Sequence, residues 1–434
     1  MIEVVASEVV MDTLNVTWDA MLVGHLDRTA GRDLSFRYAS SWLASPRARA
    51  ISQSLPLQVE PFAGHLSRAW FANLLPEGEV REHVARSLGV STGNEFALLG
   101  GLGGDCAGAL RLLPGTPPDD EEAGLVPLDW DELEARISAT PRPSLMAVMM
   151  RKGKLRLSLA GAQDKLPVHL VGNVLSLPTG SAASTHLLKI PGIGLPDLVQ
   201  NEFFCLALAH DVGLTVPRAR LAATRSPILI VERYDRAMAP DGSAVRLHQE
   251  DFCQALGLPP EAKYENEGGP ALAQVFGMLE RASASPLRDR RELLNGVLFN
   301  LIVGNADAHA KNFSLLYGGA NDDTGTRLAP LYDLVCTAVY EDLSDKLPQK
   351  FGGEYRERQL RRRHWDRLAD DIGVRPQFLR ASALEMCRRI SGRAPALADE
   401  VAAAHGGAPT LAKIVKVIAE RVGRVEANCE ATRA

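Results

Sequence analysis

Apolar residues recur at helical spacing in the second half of the chain, immediately before a polar segment. In RRELLNGVLFNLIVGNAD they follow the i, i+3, i+4, i+7, i+8 pattern of one helix face, at Leu294, Val297, Leu298, Leu301 and Ile302. This pattern predicts a buried helix. The helix is expected to end at Gly304-Asn305, because these residue types commonly terminate helices. The acidic and amide side chains that follow would then emerge from a rigid core element.

The pattern changes to alternation after this polar segment. Phe313, Leu315 and Tyr317 alternate with Ser314 and Leu316 in a strand-like pattern, and Gly318-Gly319 offers a turn. The segment Leu328–Leu334 would run back alongside this strand as the second arm of a hairpin. This hairpin is expected to bring Asp333 beside Asn312.

Two further apolar runs predict strands. The first is His186–Ile190, which contains Lys189 and precedes a Pro-Gly turn. The second is the buried-strand run Ile228–Val231, which leads into VERYDR. Glu202 is predicted to open a helix, EFFCLALAHDVGL, from which it could pair with Lys189.

Asp307 and Asn312 lie in the polar segment with four residues between them, and Asp333 follows in LAPLYDLVC. An Asp, four residues, an Asn and a distant second Asp form the layout of a protein-kinase-like catalytic and metal site. The first Asp can accept the proton of an attacking hydroxyl, and the other two side chains offer oxygens to Mg²⁺. A polar loop joining a helix to a hairpin uses the same residue types, so the spacing alone leaves both interpretations open.

An ATP kinase also needs a strand lysine to meet the phosphates and a loop to cover them. Lys189 has the expected position, although a solvated lysine at a strand end would have the same sequence context. Upstream, the turn Ala160-Gly161-Ala162 lies between two strand-like runs, and its backbone N–H groups could cradle phosphate oxygens. The segment after Ile228–Val231 is where a kinase hinge would present main-chain groups to adenine.

Composition is that of an ordinary globular protein, with 46% hydrophobic and 23% charged residues. A net charge of −5 carries no general nucleic-acid signature. The densest basic cluster is expected to be an exposed helix face, interspersed with Glu357 and Asp366, rather than a DNA contact; it comprises Arg356, Arg358, Arg361, Arg362 and Arg363. The six cysteines are scattered and predict reduced thiols.

Targeting signals and membrane spans are not recognisable in the pattern. No basic-apolar-cleavage pattern opens the chain, and no apolar run reaches the length of about 18 residues that a span needs. A soluble, cytoplasmic protein is therefore expected. Pro114–Glu122 predicts an exposed linker. Gly100–Asp105 predicts a tight structural turn, because it lacks the Lys-Ser/Thr that completes a phosphate-binding P-loop.

The central part of the chain contains the segments SLAGAQDKLPV, STHLLKIP, NEFFCLALAHDVGL, VERYDR, HQEDFCQALGLPPEAKYE, NADAHAKNFSLLY and LAPLYDLVC. Taken together, they show a resemblance to the HipA family of toxin serine/threonine kinases. It extends to LSFRYASSWLASPRARAISQSLPL and FANLLPEGEVREHVAR in the N-terminal part and to FGGEYRERQLRRRHWDRLADDIGV in the C-terminal part. The motifs occur in the expected order over most of the chain.

The resemblance implies roles for individual residues. Asp307 matches the catalytic aspartate, Asn312 and Asp333 match the magnesium ligands, Lys189 matches the ATP-phosphate lysine, and Ser158 matches the serine that autophosphorylates. Further ATP contacts are expected in the nucleotide-covering loop (Ala160, Gly161, Ala162, Gln163, Asp164, Lys165), in the hinge (Glu232, Arg233, Tyr234), and in and after the catalytic loop (His309, Lys311, Asn312, Tyr332, Asp333). Lys165 and His309 could equally be structural.

The resemblance also implies partners. It implies ATP and Mg²⁺ as cofactors and a small helix-turn-helix antitoxin of the HipB type, with operator DNA reached through that complex. It implies phosphorylation of a cytoplasmic protein serine, with aminoacyl-tRNA synthetases as the substrate class. A small-molecule phosphotransferase and an antitoxin-bound transcriptional corepressor remain alternatives.

The expected architecture is a two-lobed, protein-kinase-like fold with an α/β N-terminal part and a mainly α-helical C-terminal part. An N-terminal α/β subdomain is predicted at 1–118, a nucleotide-covering lobe at 119–247 and a helical catalytic lobe at 248–434. ATP is expected in the cleft between the two lobes.

Overall fold

A computed structural model of the chain describes residues 10–115, 123–139, 144–146, 163–191, 194–222, 224–240, 242–318, 325–405 and 408–430. Ser158 and Ala160–Ala162, which carry part of the sequence prediction, lie outside these residues. Most of the predicted linker does too, and its first residue, Pro114, ends a strand. None of the helices in the described part of the chain is long and apolar enough to cross a membrane.

Residues 10–115 form a four-stranded antiparallel sheet with helices packed against it. The sheet order is β3-β2-β1-β4, built from β1 (Val10–Trp18), β2 (Met21–Thr29), β3 (Leu34–Tyr38) and β4 (Leu110–Pro114). The helices are α1 (Ser40–Leu43), α2 (Gly64–Phe71), α3 (Gly78–Leu88) and α4 (Glu95–Leu102). Phe36, Trp70 and Phe71 are fully buried between these layers.

A six-stranded antiparallel sheet follows, in the order β5-β7-β6-β8-β10-β9. Its strands are β5 (Gly124–Pro127), β6 (Lys165–Val171), β7 (Val174–Thr179), β8 (His186–Lys189), β9 (Ala219–Ala222) and β10 (Ile228–Glu232). Two helices accompany it, α5 (Trp130–Ile137) and α6 (Leu198–Asp211). Both apolar runs that predicted strands are confirmed as β8 and β10, and they are antiparallel neighbours with Leu229 opposite Lys189.

The C-terminal part is mainly helical. After the hairpin β11 (Arg236–Met238) and β12 (Ala244–Arg246) it contains β13 (Gln249–Asp251), α7 (Phe252–Ala255), α8 (Leu272–Ala282), α9 (Pro286–Val303), β14 (Ser314–Leu316), β15 (Arg327–Leu328), β16 (Lys346–Phe351), β17 (Glu354–Arg356), α10 (Arg362–Asp371), α11 (Pro376–Ala404) and α12 (Pro409–Glu430). Helix α9 packs against α8, α11 and α12. Leu294, Leu298, Leu301 and Ile302 are buried there, and each fully buried Leu or Ile contributes roughly 1.5–3 kcal/mol.

Helix α9 confirms the predicted periodicity and its predicted end. Gly304 follows Val303 with a φ of +82°, in the left-handed region that L side chains avoid. The strand predicted after the polar segment is also present, as β14. The second arm of the predicted hairpin is shorter than expected. Only Arg327–Leu328 pairs with β14, and the chain leaves the sheet before Asp333.

Three expectations are wrong in detail. Helix α6 begins at Leu198, so Glu202 lies in its second turn rather than at its start. Helix α4 continues through Gly100 and Gly101 to Leu102, and a Cβ on Gly101 would lie 2.7 Å from Leu88 of α3, so this glycine permits close helix packing. The arginine cluster spans the end of β17, a 3₁₀ turn and the start of α10, and Glu357 within it is buried against Arg424.

All six cysteines are free and buried, which confirms the prediction of reduced thiols. Each belongs to one of the two larger clusters of buried hydrophobic residues. Cys106, for example, is fully buried, and burial raises the pKa of its thiol to about 12.

Candidate functional site

A cleft of about 820 Å³ separates the six-stranded sheet from the helical part. All of the predicted site residues that the structure describes line this cleft: Gln163, Asp164, Lys165, Lys189, Glu232, Arg233, Tyr234, Asp307, His309, Lys311, Asn312, Tyr332 and Asp333. They come from segments far apart in the sequence. A cleft of this volume is large enough for a nucleotide-sized ligand.

Lys189 lies between two carboxylates. Its Nζ atom is 2.5 Å from Oε1 of Glu202 and 2.5 Å from Oδ1 of Asp333. The side chains of Lys189 and Glu202 are only 3% and 2% exposed, whereas that of Asp333 is 35% exposed and faces the cleft. The predicted pairing of Lys189 with a helix glutamate is therefore present. The network also joins β8 to the segment after β15.

The pKa values of Lys189, Asp333 and Glu202 depend on one another. Burial disfavours the ammonium form of Lys189, but Asp333 and Glu202 outweigh it and hold the pKa of Lys189 above its usual value. Burial likewise works against the Asp333 carboxylate, yet Lys189 and Lys165 hold its pKa below the usual range. For Glu202 burial prevails and raises the pKa. The more exposed Asp333 is thus the anionic partner at the cleft surface.

Asp333 has a φ of +52°, which is uncommon for a residue with a side chain. Its neighbours hold this conformation, because Lys189 binds its carboxylate and Asn305 Nδ2 donates to its carbonyl oxygen at 3.3 Å. Asn305 follows Gly304 directly at the end of α9. The end of α9 and Asp333 are therefore fixed relative to each other.

A second lysine faces the same space. Lys165 lies directly opposite Lys189 in the antiparallel pairing of β6 with β8, so both side chains share one face of the sheet. Lys165 is 9% exposed, and burial lowers its pKa. Within the described residues its ammonium has no hydrogen bond or ion pair. Two lysines on one face of the sheet attract an anionic ligand, and a phosphate would give the Lys165 ammonium the direct partner that no described residue supplies.

The catalytic loop predicted from the sequence is held by its own polar side chains. Asn305 Oδ1 accepts a hydrogen bond from the Asp307 backbone N–H at 3.0 Å, and Asn312 Nδ2 donates to the Asp307 carbonyl at 2.7 Å. The side chain of Asp307 remains 55% exposed, although the cleft walls surround it. Burial raises the pKa of its carboxyl, while a hydrogen bond from Tyr264 and the charge of Lys263 act in the opposite direction.

His309 and Lys311 follow Asp307 in the same loop and have different surroundings. Burial, together with the charges of Lys263 and Lys311, lowers the pKa of His309 to about 3, so its ring is neutral. Lys311 Nζ is 2.5 Å from Oε1 of Glu77, a residue of the N-terminal sheet unit. Glu77 also binds Lys263 at 2.6 Å. Burial works against the Glu77 carboxylate, but these two lysines lower its pKa to about 2.

The hinge segment is anchored through Arg233. Its guanidinium donates to Asp235 at 2.7 and 2.9 Å, to Ser184 Oγ at 2.9 Å and to the Cys106 carbonyl at 2.9 Å. Asp105, in the loop after α4, accepts from Arg236 and Arg246 in the same buried network. The Arg233 side chain is therefore fully engaged. Any contact of Arg233 with a nucleotide would have to come from its main chain.

Tyr234 and Tyr332 form an aromatic wall of the cleft. Their rings stack with centroids 5.4 Å apart and an interplanar angle of 28°. The Tyr234 hydroxyl donates to Gln249, and the Tyr332 hydroxyl donates to the Lys311 carbonyl at 2.7 Å. On the sheet side, Asp164 accepts from Ser144 Oγ at 3.0 Å and from the Leu145 N–H at 2.7 Å.

Two residues of the site were assigned no role by sequence reasoning. Glu77 lies in FANLLPEGEVREHVAR and Tyr264 in HQEDFCQALGLPPEAKYE, both of which were recognised only as parts of the resemblance. No local pattern relates either residue to the Asp307 loop. The adjacent residues Lys263 and Tyr264 both contact charged groups of the site, Glu77 and Asp307 respectively. Their position within a segment of the resemblance was the one signal for them in the sequence.

The buried lysine, its two carboxylates and the adjoining Asp-Asn loop, set in a cleft between a sheet and a helical lobe, define a protein-kinase-like class of protein. A family model of the HipA N-terminal domain matches residues 14–113, and one of the HipA-like C-terminal domain matches residues 157–394. The chain belongs to the HipA family. It is a HipA-like serine/threonine kinase toxin.

Individual relatives agree with this assignment. The chain is 43% identical to "Putative kinase Y4mE" of Sinorhizobium fredii, covering 90% of this chain and 91% of the relative. It is 30% identical to "Serine/threonine-protein kinase toxin HipA" of Shewanella oneidensis, covering 87% of each. The solved complex of Shewanella oneidensis HipA with HipB and operator DNA contains a chain that matches with a TM-score of 0.79 at 29% identity, covering 96% and 97% of the two chains.

Proposed function

We propose that the protein transfers the γ-phosphoryl group of ATP to a protein serine, with Asp307 as the catalytic base. The supporting observation is the convergence of Lys189, Asp333, Asp307 and Asn312 on one cleft from separate segments. Phosphoryl transfer requires little covalent chemistry from the protein, so catalysis consists mainly of positioning and charge neutralisation. The fixed lysine and the loop held by its own side chains suit that task.

The donor set fits magnesium in its nucleotide-bound form. The described residues contain no group of three or more His, Cys, Asp and Glu that could enclose a metal ion by themselves. Mg²⁺ instead takes one or two protein oxygens together with phosphate oxygens and water. Asp333 would supply a carboxylate kept ionised by Lys189, and Asn312 a side-chain amide oxygen. The ion would neutralise phosphate charge.

The remaining residues then have defined tasks. Lys189 would bind phosphate oxygens while Glu202 fixes its position. Lys165, whose ammonium forms no ion pair with the described residues, would add a second cation on the same face of the sheet. Asp307 would receive the proton of the attacking serine hydroxyl. Neutral His309 would pack beside that carboxylate without competing for the proton.

The family assignment supports partners that the proposal includes. A HipB-like helix-turn-helix antitoxin would bind the protein, and operator DNA would be reached through that complex. In support, the solved Shewanella oneidensis complex contains HipA, HipB and operator DNA. An aminoacyl-tRNA synthetase in the cytoplasm is the proposed substrate, whose phosphorylation would inhibit translation and growth.

Ser158 is the proposed autophosphorylation site and lies outside the described residues. A phosphate there would add a charge of about −1.5 to −2 next to the predicted nucleotide-covering loop. Repulsion from the ATP phosphates should expel the loop and lower ATP affinity. Calorimetry with phosphorylated and unphosphorylated protein tests this off switch, and equal affinities for ATP would contradict it.

Substitution of the two aspartates tests the proposed activity. Asp307→Ala and Asp333→Ala are each expected to reduce labelling of lysate proteins by γ-labelled ATP at least about 10²-fold, because a proton acceptor or a phosphate-side charge is lost. Mass spectrometry of the labelled proteins would identify the modified serines. Asp399→Ala, an exposed change on α11, is the matched control. Substantial labelling by either cleft variant would refute the assignment.

A small-molecule phosphotransferase would use the same residues, and label in a metabolite rather than in protein would favour it. A purely corepressing protein would retain antitoxin and DNA binding with no labelling at all. The N-terminal family match supports the protein kinase over the metabolite enzyme.

A further inference from the structure

The segment between α7 and α8 lies directly on the Asp307 loop. The Ala310 N–H donates to the Lys263 carbonyl at 3.2 Å, so the two segments share a backbone hydrogen bond. Lys263 is also bound by Glu77. Tyr264, the next residue, therefore reaches the cleft from a part of the chain that the proposed mechanism does not use.

The Tyr264 backbone is fixed by a tight turn. The Gly269 N–H donates to the Tyr264 carbonyl at 2.9 Å, and a Cβ on Gly269 would lie 2.6 Å from the Ala262 carbonyl oxygen. The neighbouring Glu265 accepts a hydrogen bond from the Lys350 N–H of β16 at 2.6 Å. Tyr264 is thus held from both sides, rather than lying on a free loop.

The Tyr264 side chain is oriented toward Asp307. Its hydroxyl donates a hydrogen bond to Oδ1 of Asp307. The His309 ring packs edge-on against the Tyr264 ring at 5.1 Å and 84°, and Lys263 Nζ lies 5.5 Å from the ring centroid. The ring is thus held by its neighbours while its hydroxyl binds the Asp307 carboxylate.

This hydrogen bond distinguishes the two oxygens of Asp307. Oδ1 is bound by Tyr264 and lies 3.8 Å from His309 Nε2. Oδ2 has no hydrogen bond to any described residue, and the side chain is 55% exposed to the cleft. A carboxylate held by one oxygen presents the other in a fixed direction, which is how a catalytic base is commonly oriented by a third group.

We propose that Tyr264 is a positioning residue that holds Asp307 by Oδ1 so that Oδ2 faces the acceptor hydroxyl. This inference rests on the proposed kinase function and adds a residue to it. The acceptor oxygen would bond to the γ-phosphorus as the bond to the ADP oxygen breaks, and the acceptor proton would pass to Oδ2. Tyr264 would keep its own proton throughout.

Tyr264→Phe removes the hydroxyl and retains the ring. The measurement is the initial rate of phosphoryl transfer from γ-labelled ATP to lysate protein, with the apparent kcat and the KM for ATP determined separately at a fixed amount of lysate protein. We expect kcat to fall about tenfold, because one charge-assisted hydrogen bond orients the base. The KM for ATP should stay within about twofold, since Tyr264 does not contact the lysines of the sheet. Tyr355→Phe, which alters a phenol on β17 outside the cleft, is the matched control.

A conservative replacement separates positioning from a structural role. Incorporation of 3-fluorotyrosine at position 264 keeps a hydroxyl donor and should restore kcat to within about twofold of the wild type. A Tyr264→Phe protein with wild-type kcat would overturn the inference, as would a fluorotyrosine protein as slow as the phenylalanine variant. A parallel rise in KM and loss of thermal stability would assign Tyr264 a structural role instead.

Asp307→Ala distinguishes failure of this inference from failure of the proposed function. If Asp307→Ala abolishes protein labelling and Tyr264→Phe does not affect it, only the role of Tyr264 is wrong. If Asp307→Ala retains labelling, or if the wild type labels no protein, the proposed function fails, and the inference that rests on it fails too.

Discussion

At the scale of single residues, the cleft is organised around buried charge. Lys189 and Glu202 are almost completely removed from water, and a buried charge is tolerated only when it is paired. Each partner therefore depends on the other for stability, in addition to any role at the phosphates. Stability and activity can be separated by changing one partner or both.

Lys189→Met is expected to lower the free energy of unfolding by about 3 kcal/mol, because Glu202 would remain buried without a counter-charge. The double variant Lys189→Met/Glu202→Gln should recover at least about half of that loss, since neither side chain then carries a charge. Labelling of protein by γ-labelled ATP should be abolished in both variants. Urea unfolding and the ATP assay measure the two properties, and a single variant as stable as the wild type would contradict the argument.

At the scale of elements, the site depends on where secondary structure ends. Helix α9 stops at Gly304, and the next three residues lead to Asp307. The antiparallel register of β6 and β8 sets Lys165 opposite Lys189. A small change at the end of α9 or in the register of β6 and β8 would move a site residue without altering any residue of the cleft.

Gly304→Ala tests the boundary of α9. A Cβ there would lie 2.9 Å from the Ala338 Cβ and 3.1 Å from Arg421 Nε, at a φ of +82°. We expect a loss of at least about 2 kcal/mol of stability, from left-handed strain plus the steric conflict. Reduced kcat should accompany it, because the Asp307 loop begins here.

Gly392→Ala is the matched control for this substitution. Gly392 lies within α11 and a Cβ there would meet no atom within 4 Å. Alanine is a better helix former than glycine, so a gain of about 0.5–1 kcal/mol is expected. Equal effects of the two substitutions in urea unfolding would show that the end of α9 has no special conformational requirement.

At the scale of the whole molecule, the N-terminal sheet unit is attached through polar groups as well as packing. Glu250 of β13 accepts hydrogen bonds from Ser52 at 2.5 Å, from the Gln53 N–H at 3.0 Å and from Trp70 Nε1 at 3.2 Å, all in the N-terminal unit. Tyr317 donates to the same carboxyl group. Glu77 forms a second attachment, at the cleft.

Glu250 should make the stability of this attachment depend on pH. Burial raises the pKa of its carboxyl to about 7, despite the surrounding donors. In the unfolded chain a glutamate titrates near about 4.3. Between these two pH values the folded protein binds more protons than the unfolded chain. The contribution of protonated Glu250 to the free energy of unfolding is therefore complete below pH ~4.3 and is lost as the pH rises through ~7. The loss is on the order of 3 kcal/mol.

Glu250→Gln removes this titration and nearly preserves the volume. The difference in unfolding free energy between the wild type and the variant, measured in urea from pH 5 to pH 8, should therefore shift in favour of the variant as the pH rises. All other groups titrate in both proteins and cancel in the difference. Parallel stability curves for the two proteins would contradict the raised pKa of Glu250.

Local sequence patterns by themselves determined several helices and strands of this protein. The helical period predicted α9 and its glycine end, and the apolar runs predicted β8 and β10, because these patterns depend on neighbouring residues alone. The spacing of Asp307, Asn312 and Asp333 fitted a kinase-like site but also an ordinary polar loop, and the resemblance to the HipA family favoured the kinase-like site.

Only the tertiary structure decided which distant side chains meet. Tyr264 and Glu77 reach the Asp307 loop, and the Arg233 side chain turns from the cleft into the Asp105 network, through packing between segments far apart in sequence. Neighbours from other elements also decide where α6 starts, which is four residues before Glu202. They likewise decide that Glu357 is buried although it lies in a charged run. Burial and pairing of this kind are properties of the assembled fold, since the energy of a charge depends on what surrounds it.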